Sequence, residues 1–185
     1  MRLLLFEDSR AEDFTPVALL RPVFELTCGR DSLRRRLQRW FPDAEFGGWV
    51  RPWLMDSYAE EHPSLKVNDL DWIRRDKVLL VNGRWLPERR LTGLDFLTHQ
   101  AGFVDGNPAW MLLPGEELAE LLQADPETAL AQYAHSQRAL PTSGRWIYYP
   151  WDLVCQNAAQ LIRDFADEGV TQSQPQEHVQ LLGDP

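Results

Sequence analysis

Two short apolar runs, each ending abruptly in polar residues, constrain the fold of this chain more than any other feature of its sequence. The first is RLLLFED near the N-terminus, and the second is KVLLVNGR, residues 77–84. A continuous apolar run of this length is typical of a strand that is buried on both faces of an α/β sheet. Each run therefore predicts a core strand whose carboxyl end reaches the surface at charged or amide side chains.

Segments with helical spacing separate the predicted strands. DSLRRRLQRWF, GEELAELLQ and PETALAQYAHSQ are amphipathic, and a further strand is predicted at AWMLL. Strands that alternate with helices indicate an α/β sandwich whose sheet is parallel in its centre. A last helix is predicted after Pro150, and its apolar side is expected to carry Leu153, Val154, Ala158, Leu161, Ile162 and Phe165.

Length, charge and cysteine count exclude several classes of function. The 185 residues are enough for one domain with a sizeable core. A net charge of −9 opposes nucleic-acid binding, which needs a basic face, and Arg34-Arg35-Arg36 is interpreted as a solvated helix face. Cys28 and Cys155 are too few for a disulfide framework or a zinc site, and both are expected to be buried.

The N-terminal apolar stretch is too short for a signal peptide. No apolar run approaches the roughly 18 residues that a membrane span needs. The sequence therefore predicts a cytoplasmic protein with neither a membrane nor a nucleic acid as its partner.

The carboxyl ends of the two core strands are the places where an α/β sheet would bind a ligand. Glu7-Asp8-Ser9-Arg10 follows the first strand, and Asn82-Gly83-Arg84 follows the second. A competing interpretation makes Asn82-Gly83 the two-residue turn of a hairpin between VLLV and RWL. Both interpretations stay open here, because a hairpin can lie beside a site.

Three stretches of the chain resemble the sugar-1-phosphate nucleotidyltransferase superfamily. LLLFEDSR, FTPVALLRPVFEL and SLRRRL resemble its opening, in which a strand leads into a Gly-rich G-x-G-T-R loop, a Pro-Leu-Thr turn, a Lys-Pro pair and a helix. VLLVNG resembles its strand that ends in Asn-Gly-Asp. YPWDLVCQNAAQLIRDF resembles a stretch of one divergent branch, the N-terminal domains of bacterial bifunctional UDP-N-acetylglucosamine pyrophosphorylase/acetyltransferase-like proteins.

The resemblance implies a nucleotidyltransferase-like (Rossmann-like) α/β fold, a three-layer sandwich with a mostly parallel central sheet, over residues 1–168. Residues 169–185 are expected to form a linker. Members of the branch usually continue into a left-handed β-helix of hexapeptide repeats. The resemblance therefore implies a β-helix that is missing from this chain, and a homo-oligomer, a trimer, formed through it.

The chemistry that the resemblance implies is nucleotidyl transfer. A sugar-1-phosphate oxygen attacks the α-phosphate of a nucleoside triphosphate, and pyrophosphate leaves. The family neutralises the developing charge with the amides of the Gly-rich loop, an arginine, a lysine, and Mg²⁺ held by an aspartate. The implied partners are a small-molecule nucleotide or sugar phosphate, with Mg²⁺ as cofactor if the domain is active.

The position of the Gly-rich loop falls on Glu7-Asp8-Ser9-Arg10, which has no glycine and carries two acids that are expected to repel a phosphate. Arg10 could replace the loop arginine, or it could be an exposed loop residue. The Lys-Pro pair becomes Arg21-Pro22. Arg21 could contact a phosphate, or it could close the site by an ion pair with Glu7 or Asp8.

Arg84 occupies the position of the metal-binding aspartate, and a cation cannot ligate Mg²⁺. We therefore assign no catalytic residue and no metal ligand. Arg10, Arg21 and Arg84 are expected to surround one cationic pocket. The predicted substrate-binding residues are Asp8, Ser9, Arg10, Arg21, Asn82, Gly83 and Arg84.

Three functional hypotheses remain open. The chain could be an active nucleotidyltransferase, or a non-catalytic nucleotide-sugar-binding or regulatory domain attached to a β-helix acyltransferase. The third possibility is an unrelated α/β binding module. Asp152 is interpreted as a helix cap rather than a metal or ribose ligand. Tyr149 and Trp151 are expected to pack in the core rather than to stack on a base.

Overall fold

A computed structural model of the protein describes residues 1–124 and 126–168. The helices of this part are α1 (Leu33–Trp40), α2 (Met55–Glu61), α3 (Leu70–Arg74), α4 (Gly115–Gln123), α5 (Pro126–His135) and α6 (Pro150–Glu168), with 3₁₀ turns at Ser9–Phe14, Val23–Glu25 and Pro52–Leu54. The strands are β1 (Arg2–Phe6), β2 (Thr27–Cys28), β3 (Asp31–Ser32), β4 (Glu45–Trp49), β5 (Lys66–Val67), β6 (Lys77–Asn82), β7 (Trp85–Leu86), β8 (Gln100–Val104), β9 (Asn107–Pro114), β10 (Arg138–Leu140) and β11 (Arg145–Trp146).

Seven of these strands form the central sheet, in the order β10-β8-β9-β6-β1-β4-β5. β1 lies in the middle of a parallel group, between β4 and β6, and β5 continues this group. β9 pairs with β6 and β8 in the antiparallel sense, and β10 pairs with β8 in parallel. β9 is thus the strand that runs against the others, and the sheet is mostly parallel.

Both faces of the sheet are buried, as the uninterrupted apolar runs of β1 and β6 predict. Leu3 and Leu5 belong to a core cluster on one face, together with side chains of α1 and α2. Leu4 and Phe6 belong to the cluster on the opposite face, together with side chains of α3, α4 and α5. The three-layer α/β sandwich with a mostly parallel central sheet is therefore confirmed.

Three strands of the sheet, β4, β8 and β10, were not predicted. β4 has the sequence EFGGW, which shows no apolar run, yet it pairs with β1 along its whole length. A Cβ atom on Gly47 would lie 2.7 Å from the Trp72 ring, so glycine is required here by a long-range contact. β8 forms a hairpin with β9 through Asp105-Gly106, and only β9 contains the predicted AWMLL.

The alternative interpretation of Asn82-Gly83 as the turn of a hairpin between β6 and β7 is wrong. β7 pairs with β11 in a separate two-stranded sheet, whereas β6 pairs with β1 and β9. The chain therefore leaves the central sheet after Asn82 instead of turning back along β6.

Helix α6 docks on the domain through polar side chains, contrary to what its apolar pattern suggests. Asn157 accepts a hydrogen bond from the Gly29 N–H at 2.8 Å, and Asp164 accepts one from the Arg30 N–H at 2.9 Å. Asp164 also forms a buried ion pair with Arg36. Several residues of the predicted apolar side, Val154, Ala158, Ile162 and Phe165, are exposed instead.

The predicted environments of the cysteines and of the arginine run are confirmed only in part. Cys28 is buried, whereas Cys155 is exposed on α6. Arg34 and Arg36 are buried beside carboxylates, so this run is not a solvated face. Within the described residues, no helix combines the length and the apolar composition needed to cross a membrane. The predicted linker, residues 169–185, lies outside the described part of the chain.

Candidate functional site

The ends of β1 and β6 bring the two predicted binding segments together. These parallel strands are in register, with Phe6 opposite Asn82, and the Gly83 N–H donates to the Phe6 carbonyl oxygen at 2.8 Å. A Cβ atom on Gly83 would lie 2.9 Å from the Phe24 ring and 3.0 Å from the Phe6 oxygen. Only glycine therefore allows this close approach, which places Asp8 beside Arg84.

Asp8 and Arg84 form a bidentate ion pair at the strand ends. The Arg84 Nε donates to Asp8 Oδ1 at 2.7 Å, and Arg84 Nη2 donates to Asp8 Oδ2 at 2.6 Å. The side chains of the pair are only 8% and 6% exposed. Asn82 completes the network, because its Nδ2 donates to Asp8 at 2.8 Å and its Oδ1 accepts from the Arg84 N–H at 2.9 Å.

Aromatic residues enclose the Arg84 guanidinium on its other sides. Its central carbon lies 5.2 Å from the ring centroid of Trp146 and 5.7 Å from that of Tyr148. Arg84 Nη1 also donates to the Ile147 carbonyl oxygen at 3.2 Å. Such cation–π contacts and hydrogen bonds hold the planar group in one orientation.

A second ion pair neutralises Glu7. Arg51, which follows β4, donates from Nε and Nη2 to the two carboxylate oxygens of Glu7, both at 3.1 Å. Since β4 and β6 flank β1, each acid after β1 is paired with the arginine that follows a neighbouring strand. Each of the two acids that are expected to repel a phosphate is therefore paired with an arginine that compensates its charge.

The Glu7–Arg51 pair also fixes the loop that carries Arg21. Arg51 Nη2 donates to the carbonyl oxygens of Ala18 at 2.6 Å and Arg21 at 3.3 Å, and Glu7 accepts from the Val23 N–H at 2.8 Å. The Arg21 backbone thus faces this pair, while its side chain is exposed. Arg51, and not Arg21, is the arginine that binds Glu7.

A cavity of about 200 Å³ opens beside the Asp8–Arg84 pair. β1 and β6 with the residues that follow them, the start of β9, α5 and the segment around β11 contribute to its walls. Of the predicted binding residues, four line it and two, Ser9 and Gly83, are only adjacent in the chain to residues that do. The lining residues are Phe6, Asp8, Arg10, Asn82, Arg84, Asn107, Pro108, Glu127, Leu130, Ala131, Trp146 and Tyr148.

Arg10 contributes a second cation to this cavity. Its guanidinium carbon lies 5.0 Å from the Tyr148 ring centroid, and its Nε lies 3.4 Å from Asp13 Oδ2. The side chain is 44% exposed, and its ion pair with Asp13 is long and open to water. Arg10 is therefore able to turn toward a ligand at little cost.

Arg21 lines a different cavity, so the expectation of one pocket shared by three arginines is wrong. That cavity, of about 170 Å³, also contains Arg34, Glu25 and Tyr58. Arg34 pairs with Glu25, and burial together with the Glu25 charge raises the pKa of Tyr58 above its ordinary value. Arg10 and Arg84 thus share a cavity that Arg21 does not line.

Asp152 caps α6, as predicted, although it lies in the first turn of the helix and not before it. Its Oδ2 accepts hydrogen bonds from the backbone N–H groups of Tyr148 at 2.8 Å and Tyr149 at 2.9 Å. Tyr149 and Trp151 stack on each other with ring centroids 4.6 Å apart, and both are exposed, so their predicted core packing is wrong.

The arrangement does not fit a bound Mg²⁺. Among the residues described, no group of three or more His, Cys, Asp or Glu side chains is placed to hold a metal ion. Both oxygens of Asp8 are hydrogen-bonded by Arg84 at 2.7 Å and 2.6 Å, and a cation stands where the aspartate ligand would be. Hard divalent cations need free oxygen ligands. Asp8 Oδ2 accepts two hydrogen bonds and Oδ1 accepts one, so this carboxylate is largely taken up by Arg84 and Asn82.

Three residues at or beside the candidate site were not predicted. Arg51 follows β4, whose sequence has no apolar run to mark it as a strand. Trp146 and Tyr148 were not distinguished from the neighbouring aromatic residues Tyr149 and Trp151. The signal for them is the period of two in RWIYY, which places these two side chains on the same face of an extended segment.

Comparison with known proteins identifies relatives of this fold. A family model described as sugar nucleotidyl transferase matches residues 3–170. No curated protein matches the chain.

Three solved structures are similar to this chain in fold. A Bacillus anthracis protein assigned as a glucose-1-phosphate thymidylyltransferase is 9% identical, with a TM-score of 0.56 over 86% of this chain and 94% of that chain. The Streptococcus pneumoniae CTP:phosphocholine cytidylyltransferase is 7% identical, with a TM-score of 0.56 over 85% and 98%. The inositol-1-phosphate CTP transferase of T. maritima is 9% identical, with a TM-score of 0.51 over 86% and 95%.

Proposed function

Because this chain belongs to the sugar nucleotidyl transferase family, we propose that it is a nucleotidyltransferase-like domain that binds a sugar phosphate or nucleotide sugar without transferring a nucleotidyl group. The proposed site is the cavity lined by Asp8, Arg10, Arg84 and Tyr148. The observation that carries the proposal is the buried, bidentate Asp8–Arg84 ion pair at the strand ends.

Nucleotidyl transfer needs positive charge and donors placed where charge develops between the phosphates. In this cavity the guanidinium of Arg84 is already neutralised by Asp8, and Asn82 uses its amide on the same carboxylate. No glycine follows β1 to let backbone amides approach a phosphate closely. The arrangement therefore favours binding over catalysis.

The cavity walls suit a ligand that is both polar and stackable. Tyr148 and Trp146 line the cavity with aromatic side chains, and Asn107 and Glu127 supply polar groups at the start of β9 and on α5. Arg10 is the cation placed to receive a phosphate, because its pair with Asp13 is exposed. A phosphorylated sugar combines the hydroxyls, the flat apolar ring face and the anion that these groups recognise.

A pyrophosphate-release assay separates binding from catalysis. The full chain is incubated with each common nucleoside triphosphate, a panel of sugar 1-phosphates and Mg²⁺, and we expect no release above background. Release that disappears in Arg84→Ala would instead support the active enzyme with an altered loop.

Thermal unfolding with a panel of nucleotide sugars and sugar phosphates tests the binding. A ligand that binds only the folded state raises the unfolding temperature, and the shift grows with the logarithm of the ligand concentration above the dissociation constant. We expect at least one of these ligands to do so, and Arg10→Ala to reduce the shift. Arg74→Ala is the matched control, because Arg74 is 43% exposed and also pairs with an aspartate three residues away. No shift with any ligand would contradict the proposal.

The resemblance of YPWDLVCQNAAQLIRDF to the branch with a β-helix supports a larger context for this domain. We propose that it serves as the nucleotide-sugar-binding or regulatory part of a β-helix acyltransferase. Sequencing the natural reading frame tests this, since hexapeptide repeats are expected after Pro185, and a stop codon there would contradict it.

A further inference from the structure

A continuous apolar stripe runs along the exposed side of α6. Trp151, Val154, Ile162 and Phe165 are 60%, 76%, 73% and 62% exposed, respectively. Their spacing in the chain places them on one face of the helix, with the exposed Ala158 in the middle. Large apolar side chains so arranged are rare on the surface of a protein that works alone.

The apolar stripe takes no part in packing α6 against the rest of the described domain. The opposite side of α6 docks through Asn157, Gln160 and Asp164, and Gln160 and Asp164 are 2% and 4% exposed. The buried ion pair between Asp164 and Arg36 fixes the rotation of the helix about its axis. The apolar side therefore faces away from the domain in an orientation that polar contacts determine.

The stripe has an internal two-fold pattern centred on Ala158. Trp151 and Phe165 lie seven residues before and after it, and Val154 and Ile162 lie four residues before and after it. An isologous two-fold interface joins the same surface of two copies, so each of its contacts occurs twice. A pattern of side chains that is the same in both directions along the helix meets this requirement.

We propose that the stripe, formed by Trp151, Val154, Ala158, Ile162 and Phe165, binds a second copy of this chain through antiparallel pairing of the two α6 helices. Trp151 of each copy then meets the Phe165 position of the other, and Val154 meets the Ile162 position. The small Ala158 lies on the two-fold axis, where it lets the helix backbones approach closely.

The exposed area is consistent with a stable dimer. With roughly 150–250 Å² for each aromatic side chain and somewhat less for each aliphatic one, the four large residues expose on the order of 500 Å². A specific interface buries about 800 Å² on each partner, so these four side chains provide more than half of it. The remainder can come from the exposed neighbours Tyr149, Cys155 and Ala158.

The charge around the stripe favours a protein partner over a membrane surface. Helices that lie on membranes carry lysine and arginine along their polar face. α6 carries Arg163 as its one basic residue, against Asp152, Asp164, Asp167 and Glu168. An acidic chain of net charge −9 would also be repelled by anionic lipid.

Sedimentation equilibrium of the full chain tests the proposal. The wild type is expected to dimerise, and Ile162→Glu to weaken the dimer by at least about a hundredfold, because the symmetry places each substitution in the interface twice. Leu97→Glu is the matched control, since Leu97 is 91% exposed and lies far from α6 in the sequence, and its dissociation constant should equal that of the wild type. At a protein concentration low enough to dissociate the wild-type dimer, both variants should unfold at the wild-type temperature, because neither side chain is buried in the monomer.

A cross-linking experiment tests the axis. In a Cys155→Ser background, Ala158→Cys should form a disulfide-linked dimer under mild oxidation, because two helices packed 8–10 Å apart bring facing Cα atoms on the axis to roughly 4–6 Å. Leu97→Cys in the same background should not cross-link comparably.

A wild type that sediments as a monomer at all concentrations would overturn the proposal, as would a dimer or trimer that Ile162→Glu leaves intact. Failure of Ala158→Cys to cross-link within an existing dimer would overturn the antiparallel register. Binding of the wild type to anionic vesicles that Ile162→Glu abolishes, without self-association, would assign the stripe to a membrane instead.

Discussion

Two buried arginine–aspartate pairs, Asp8–Arg84 and Asp164–Arg36, use the same chemistry in two different places. In each pair two guanidinium nitrogens contact the carboxylate, at 2.6–2.7 Å for Asp8 and 3.0–3.2 Å for Asp164. Asp8–Arg84 lies on the wall of a cavity, beside aromatic rings. Asp164–Arg36 lies beneath α6, where Arg36 also donates to the Cys28 carbonyl oxygen at 2.9 Å.

The difference shows that the surroundings, and not the pair itself, determine what an ion pair does. Removing one partner of an enclosed pair leaves an uncompensated charge that water cannot reach. A partner that borders a cavity can be solvated when its mate is removed, so less stability is lost. The Asp164 pair therefore holds the fold together, whereas the Asp8 pair mainly forms the wall of the proposed binding cavity.

The largest expected effect is that of Asp164→Ala. The substitution leaves Arg36, which is 1% exposed, without its counter-charge, and it removes the acceptor of the Arg30 N–H. We expect the free energy of unfolding to fall by about 3–5 kcal/mol, measured by urea denaturation. Asp71→Ala is the control, because the Asp71 side chain is 82% exposed, and it should change stability by less than about 0.5 kcal/mol. Equal losses of stability in Asp164→Ala and Asp71→Ala would contradict the structural role assigned to the Asp164–Arg36 pair.

Asp8→Ala is expected to cost less stability, about 1–3 kcal/mol, since water in the cavity can solvate Arg84. The same denaturation experiment measures it. A loss of stability in Asp8→Ala as large as that in Asp164→Ala would contradict the claim that the cavity-lining pair contributes less to stability.

The pH dependence of stability should reflect Asp164. Burial raises the pKa of this carboxyl, but the hydrogen bonds from Arg36, the Arg30 N–H and Gln160 outweigh it and hold the pKa below its ordinary value. A group whose pKa is lowered by folding stabilises the protein above its unfolded pKa, about 3.9 for aspartate, and this contribution is lost as the pH falls through the lower folded value. The stability difference between the wild type and Asp164→Asn should therefore shrink below about pH 3.9. A difference that grows on acidification would contradict this assignment.

Arg10→Ala should have the smallest effect on stability, within about 0.5 kcal/mol, because its ion pair with Asp13 is exposed and long. Thermal unfolding without ligand measures it. A loss above 1 kcal/mol would mean that Arg10 has a structural role that its 44% exposure does not suggest.

The sequence predicted those parts of the molecule whose causes are local. β1 and β6 were recognised because their own residues are uniformly apolar, and the parallel arrangement then placed Asp8 near Arg84. The pairing of the two was not foreseen, since it depends on the register of neighbouring strands. β4 was not predicted, because the reason for glycine at position 47 is a close contact with Trp72, which lies 25 residues later in the chain.

The position of Arg21 and the orientation of α6 depend on contacts that the sequence does not display. Arg51 binds the Arg21 carbonyl oxygen from 30 residues away and leaves the Arg21 side chain outside the cavity. For α6 the periodicity identified an apolar side, but the docking side was decided by backbone N–H groups of Gly29 and Arg30 that need acceptors. Hydrophobic periodicity thus predicts the two sides of a helix and not which of them faces the domain.

Calorimetric titration of the wild type with a panel of nucleotide sugars, in EDTA and again in Mg²⁺, tests the central claim most directly. If the Asp8–Arg84 pair has replaced the metal, at least one of these ligands should bind with the same dissociation constant in both buffers, and Asp8→Ala should weaken that binding. Binding that appears only with Mg²⁺, or no binding in either buffer, would contradict the account.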